Sequence, residues 1–281
     1  MDQDEPTISN AQQDGIETLY HYQKYNEDHV VDLLKTRRAF CSNIGNLNDP
    51  WDCGMFFKID DDESATSTLA FLKAVAKPSR LGPAADRMMD EAIGDDPQLL
   101  RTIINMVAQS VYNDSVEHRR IYCLTPCVTS TLMWSHYADN HKGICLEYAV
   151  KPANVFATAF RVIYRRKFLP SKMFDLGGAA FLPFIVKAEC WHYEKEYRLF
   201  LRIADPSAPF QFPECMQIKD DRVTLPNDCL TSVVLGSCSS SEVGIRVQQL
   251  IAEYWPEVRV KQMVRRNDEY ELEMKEFHSS L

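Results

Sequence analysis

The stretch WHYEKEYRLF, residues 191–200, decides how the middle of this chain is read. Its second half is aromatic and apolar and reads as a β-strand. Carried back to Tyr193, that strand holds Glu194 and Glu196, two residues apart. Side chains two apart in a strand share a face, so the carboxylates sit side by side. Like charges that close raise the cost of ionising both. A strand over 193–203 that opens on paired carboxylates, just after Trp191, points to chemistry at its start.

Outward from this strand the pattern is mixed. A helix around 179–190 leads into it, and ATAFRVIYRR (157–166) reads as a strand. Further upstream, RIYCLTP (120–126) and KGICLEYAV (142–150) are strands flanking a helix, STLMWSHYADN (130–140), capped by Ser130 or Thr129. Near the start, ETLYHYQ (17–23) is a strand and NEDHVVDLLKTRR (26–38) a helix with Asn26 as N-cap, followed by a short strand, AFCSN (39–43). Downstream come two strand-like pieces, FQFPECMQI (210–218) and DRVTLP (221–226). The chain closes on a β-α-β unit: LTSVVLG (230–236), a helix over about 240–254 with a Ser239/Glu242 capping box, and EVRVKQM (257–263).

Residues 1–16 read as a polar, disordered tail, and 60–118 as a charge-rich helical insertion broken at KPSRLGP and GDDP. The predicted fold is α+β, a mixed and largely antiparallel β core in one domain over 17–281.

With 281 residues, 45% of them apolar, the chain has ample material for a core. A net charge of −9 argues against a general nucleic-acid-binding surface. Nine cysteines at irregular spacing are no disulfide framework and fit free thiols in a reducing compartment. The first residues lack the apolar run of a signal peptide, and AAFLPFIVKA (179–188) is too short to span a bilayer. A cytoplasmic protein without membrane contact is the expectation.

Five constellations could carry chemistry. Cys123, Cys127, His136 and His141 form C-x3-C-x8-H-x4-H, whose central spacer is shorter than the ~12 residues of a zinc finger. Cys127 or Ser135 with His136 and Asp139 offers nucleophile and base, but sequence neighbours rarely form a working triad, whose members converge from different elements. LGSCSSSE (235–242) could cradle a phosphate, yet lacks the Walker lysine and reads more simply as a capped helix start. LMWSHYADNHKG (132–143) crowds Trp134, His136, Tyr137, Asp139, Asn140 and His141 more densely than one buried face requires, as ligand pockets do. NLNDPWD (46–52) sets Asn48, Asp49 and Asp52 beside Trp51, either as a tight turn or as a ribose-binding loop.

Taken in order, LYHYQ, NLNDPWD, LMWSHYADNHKGICLEY, WHYEKEYRL and the terminal VVLG unit resemble domain-of-unknown-function family 2971, found widely in bacteria and phages, over about residues 18–265. In layout the chain also resembles ADP-ribosyltransferases, which place a His or Arg on an early strand, aromatics against nicotinamide, and a Glu opening a late strand. That resemblance implies a split-sheet fold and an NAD-dependent enzyme of a phage–host conflict or a toxin system.

Under it, Glu196 is the catalytic carboxylate that steadies an oxocarbenium-like ribose, Glu194 its helper and His136 a further catalytic group. His21, Tyr22, Asn48, Asp49, Trp134, Tyr137 and Lys187 would contact NAD, with ADP-ribose passing to a protein or nucleic-acid acceptor. The departures are tyrosines on both sides of His21, and CSN (41–43) where arginine-modifying transferases carry Ser-Thr-Ser. Two other readings stand beside it: a non-catalytic nucleotide-sensing or protein-binding module, and a metal-assisted hydrolase or nuclease built on Asp49, His136 and Glu196. The plainest reading of the carboxylates is a solvated strand in which Glu196 pairs with Arg198.

Overall fold

ICLEYA and LTSVVL, buried along nearly their whole length, lie side by side at the centre of one of two five-stranded sheets. The computed structural model describes residues 7–54, 57–58, 97–152, 154–170, 179–203 and 216–278. It is an α+β protein with mostly antiparallel sheets, divided into two compact units. Unit 1 takes the chain up to Ser42, Arg120–Val162 and everything from Trp191; unit 2 takes Asn43–Arg119 and Ile163–Cys190.

Unit 1 contains, in order, β1 (Thr18–Gln23), α1 (Glu27–Thr36), β2 (Arg38–Phe40), β3 (Arg119–Leu124), α2 (Thr131–Tyr137), β4 (Ile144–Ala149), β5 (Phe160–Arg161) and β6 (Tyr197–Ile203). Then follow β7 (Gln217–Ile218), β8 (Arg222–Thr224), β9 (Leu230–Leu235), α3 (Ser241–Tyr254), β10 (Arg259–Arg265) and β11 (Leu272–Glu276). The main sheet runs β1-β4-β9-β10-β11. Only β9 and β10 are parallel, and α3 makes the crossover between them. Val247, Leu250 and Ile251 form the buried stripe of α3. At its end Trp255, fully buried, donates its indole N–H to the Leu34 carbonyl of α1 at 2.8 Å. In the second sheet β6 lies between β7 and β3, with β5 pairing antiparallel to β6.

The sequence reading is corrected in several places. Residues 1–6 lie outside the described residues, but 7–16 are no loose tail: Asn10 bridges Phe160, and Ala11 is fully buried and bonded to Ala159. The strand expected over 157–166 is broken into a 3-10 turn (Val155–Thr158), β5 and a strand at Ile163–Arg165. In place of a helix over 179–190 there is a 3-10 turn with Pro183 inside, a strand at Val186–Ala188 and a second 3-10 turn at Glu189–Glu194. Proline has no N–H to continue a helix there. The N-cap of α3 is Ser240, which accepts from the Val243 N–H, whereas Ser239 donates to the Lys142 and Gly143 carbonyls. The hairpin strand β11 was not foreseen.

Unit 2 holds a helix at Pro97–His118, the parallel pair Ile163–Arg165 with Val186–Ala188, and a second parallel pair, Phe57–Lys58 with Leu169–Pro170. Residues 59–96, most of the expected helical insertion, lie outside the described residues, as do 204–215 of the FQFPECMQI region. No helix among the described residues is long and apolar enough to cross a membrane.

Candidate functional site

The crowded stretch after Ser130 is in large part architecture. Ser130 caps α2 by accepting from the Met133 N–H, and Trp134 is fully buried, its indole N–H donating to the Val128 carbonyl at 2.7 Å. Beyond Tyr137 the chain turns through three consecutive left-handed residues, Asp139, Asn140 and His141, with φ of 48°, 53° and 67°. Among residues with a side chain, these three types tolerate that region best. Gly143 and Gly236 then let backbones close in: a Cβ would lie 2.4 Å from the Gln23 carbonyl oxygen at the first and 2.0 Å from that of His141 at the second.

At the end of α2 a surface cluster forms. His136 is exposed, and its Nδ1 hydrogen-bonds the Tyr193 hydroxyl at 2.9 Å. Three aromatic rings stand nearly perpendicular to the imidazole: Tyr137, Trp191 and Tyr193, with centroids 6.2, 6.3 and 6.0 Å away. The 3-10 turn at Glu189–Glu194 delivers Trp191 and Tyr193 to the imidazole and Glu194 to the neighbouring phenol. Tyr137 donates its hydroxyl to Glu194 Oε1 at 2.5 Å. The Nε2 of His136 has no hydrogen-bond partner among the described residues. The result is an exposed imidazole with three aromatic rings around it and one nitrogen without a partner among the described residues.

The paired carboxylates do not share a strand face. Lys195, at φ 47°, breaks the extended backbone, and β6 begins only at Tyr197. Glu194 is 2% exposed and turned to Tyr137; Glu196 is 4% exposed and held in a two-pronged ion pair by Arg198, at 2.7 and 2.8 Å. Arg198 itself is fully buried, so the pairing of Glu196 with Arg198 exists, but inside the protein rather than in solvent.

The other predicted contacts fall in different places. His21 stacks on Tyr122 at 4.0 Å and donates Nδ1–H to the Cys123 carbonyl at 2.8 Å; burial pulls its pKa down to about 4, only partly opposed by that bond. Tyr22 donates to the Cys127 carbonyl at 2.7 Å and meets Trp134 edge-on. In unit 2, Asn48 is exposed, whereas Asp49 is buried, with Oδ1 accepting from the Trp51 N–H and Oδ2 without a partner among the described residues. Lys187 forms a buried ion pair with Asp52 at 3.4 Å.

Of the predicted residues, then, His136, Tyr137 and Glu194 come together, while His21, Tyr22 and Trp134 serve the interior. Sequence reasoning missed Trp191 and Tyr193 as partners of His136; their joint presence in a short aromatic turn was the available signal. The Ser135 hydroxyl meets His141 Nε2 at 3.1 Å rather than His136, and Ser237 lies 3.4 Å from His141 Nδ1. No group of three or more His, Cys, Asp or Glu among the described residues could hold a metal ion.

Comparison with known families adds one finding, and it falls on this cluster. Residues 133–199 match the family described as Protein of unknown function (DUF2971). The match begins in α2 and ends in β6, so it takes in the whole aromatic cluster and both carboxylates, a narrower span than the resemblance drawn from the sequence. No curated protein and no solved structure matches the chain.

Proposed function

We propose that unit 1 is a nucleotide-recognition module whose ligand docks a planar ring against the His136 cluster. The observation that carries this reading is the exposed imidazole with Nε2 unpartnered among the described residues, walled by Tyr137, Trp191 and Tyr193. A flat heterocycle with a polar edge, such as adenine or nicotinamide, satisfies both the rings and that nitrogen. Titration of the protein with NAD and AMP tests it. Saturable binding that weakens about tenfold or more in Trp191→Ala and His136→Ala supports the module. Absence of saturable binding, or binding untouched by both substitutions, overturns it.

A second reading, ADP-ribosyl transfer from NAD to a macromolecular acceptor, draws on the link from Glu194 through Tyr137 to the cluster. In that reaction the C1′–N bond to nicotinamide breaks, the acceptor bonds to C1′, and a carboxylate steadies the cationic ribose. Glu194 and Glu196 are both buried and engaged, so the reaction requires one of them to turn outward. Nicotinamide release in the presence of protein or nucleic-acid acceptors, abolished by Glu194→Gln, would establish the transferase. Binding without release would leave the module.

A further inference from the structure

We infer that unit 2 carries a separate binding site for a phosphate-bearing nucleobase, in the cavity lined by Trp51 and Phe168. The cavity holds about 240 Å³ and is lined by the two aromatic residues, by Pro183, Val186 and Ala188, and by the cations of the run Arg165-Arg166-Lys167. Trp51 and Phe168 are 55% and 49% exposed, and their ring centroids lie 5.9 Å apart. Rings exposed to this extent keep apolar area in water that a flat ligand can cover.

The charge argument is independent of the aromatic one. None of Arg165, Arg166 and Lys167 forms an ion pair among the described residues. Several arginines elsewhere are matched: Arg120 with Asp221, Arg198 with Glu196, Arg222 with Asp32, Arg246 with Glu27. Lys187, which also lines the cavity, is balanced by Asp52 and adds no net charge. In a chain of net charge −9, three uncompensated cations at the mouth of an aromatic cavity form a local anion trap. Guanidinium forks match phosphate oxygens, and aromatic faces stack on bases; together these are the means by which proteins hold nucleotides and single strands without reading sequence. An inorganic anion would use the cations and leave the rings wet, so the site's chemistry calls for a base and a phosphate in one ligand.

The test uses the full chain and two probes: AMP, followed by calorimetry, and a fluorescein-labelled oligothymidylate, followed by anisotropy, at low and moderate salt. The expected result is binding of at least one probe, weakened about tenfold or more by Trp51→Ala. Arg166→Glu should weaken it as well, with melting temperatures unchanged because both side chains are exposed. A strand that uses all three cations gives a slope of about −2 for log affinity against log salt. AMP bound as tightly as the strand identifies free nucleotide as the source, and a tighter strand identifies nucleic acid. His136→Ala is the control that leaves this binding intact, so that failure here and failure of the unit 1 site are told apart. Binding of neither probe, or binding that survives both Trp51→Ala and Arg166→Glu, overturns the proposal.

Discussion

Glu196 is the residue whose role changes most between sequence and structure. As a carboxylate on an open strand it would be replaceable at little cost; inside the protein it neutralises Arg198, which has no exposed surface. Glu196→Ala takes a carboxylate away from a fully buried guanidinium, and should cost about 3–5 kcal/mol in denaturant unfolding. The joint replacement Glu196→Leu with Arg198→Met should cost far less, because it buries no charge. His21 gives a pH prediction of opposite logic. Its folded pKa of about 4 lies below the ordinary value of 6.5, so protons bind the unfolded chain more readily. Stability from this residue is complete above pH 6.5 and drains away as pH falls from there towards 4. Acid unfolding of His21→Gln should show a flatter slope in that window; an identical slope would mean that the imidazole titrates freely in the folded protein.

At the scale of elements, the centre of the main sheet is stitched by one carboxylate. Glu147 on β4 accepts from Ser232 on β9 and from Lys261 on β10, the latter at 2.6 Å, so a single side chain ties three adjacent strands. Burial alone would raise its pKa, but the Lys261 and Ser232 hydrogen bonds outweigh that and hold it below the usual value. Its stabilisation is therefore present above the ordinary carboxylate range and fades as pH falls through it. Lys261→Met should destabilise the protein by about 3 kcal/mol at neutral pH and by less in acid, as calorimetric melting at several pH values would reveal. These strands were legible in the sequence because ICLEYA and LTSVVL are mostly apolar segments of strand length, and α1 and α3 because their stripes follow the helical period. The region from Ala179 to Glu196 was not legible. Its 3-10 turns are six residues each, too short for a period to show, and the left-handed Lys195 carries no sequence signal. That gap cost half the candidate site: His136 and Tyr137 were found on a helix, whereas Trp191 and Tyr193 sit in the turn that periodicity could not reveal.

For the whole molecule, the decisive fact is that unit 1 is assembled from distant parts of the chain. β4 pairs with β1 on one side and with β9 on the other, and β9 lies more than eighty residues further along. Without β9 a strand buried along nearly its whole length keeps an open edge. A fragment ending at residue 190 should therefore lack cooperative unfolding and bind hydrophobic dyes, whereas the full chain melts in a sharp transition; a fragment with a sharp melt of its own would place the core elsewhere. Pairings this remote also predict slow folding, since long loops must close before they are rewarded. The four tryptophans are spread over this architecture in a useful way. Trp134 and Trp255 are sealed in the interior of unit 1, Trp191 stands in the His136 cluster, and Trp51 flanks the unit 2 cavity. Fluorescence thus comes with two constant emitters and one reporter at each proposed site. Trp51→Phe and Trp191→Phe, taken singly, make every ligand declare by quenching which of the two surfaces it has reached.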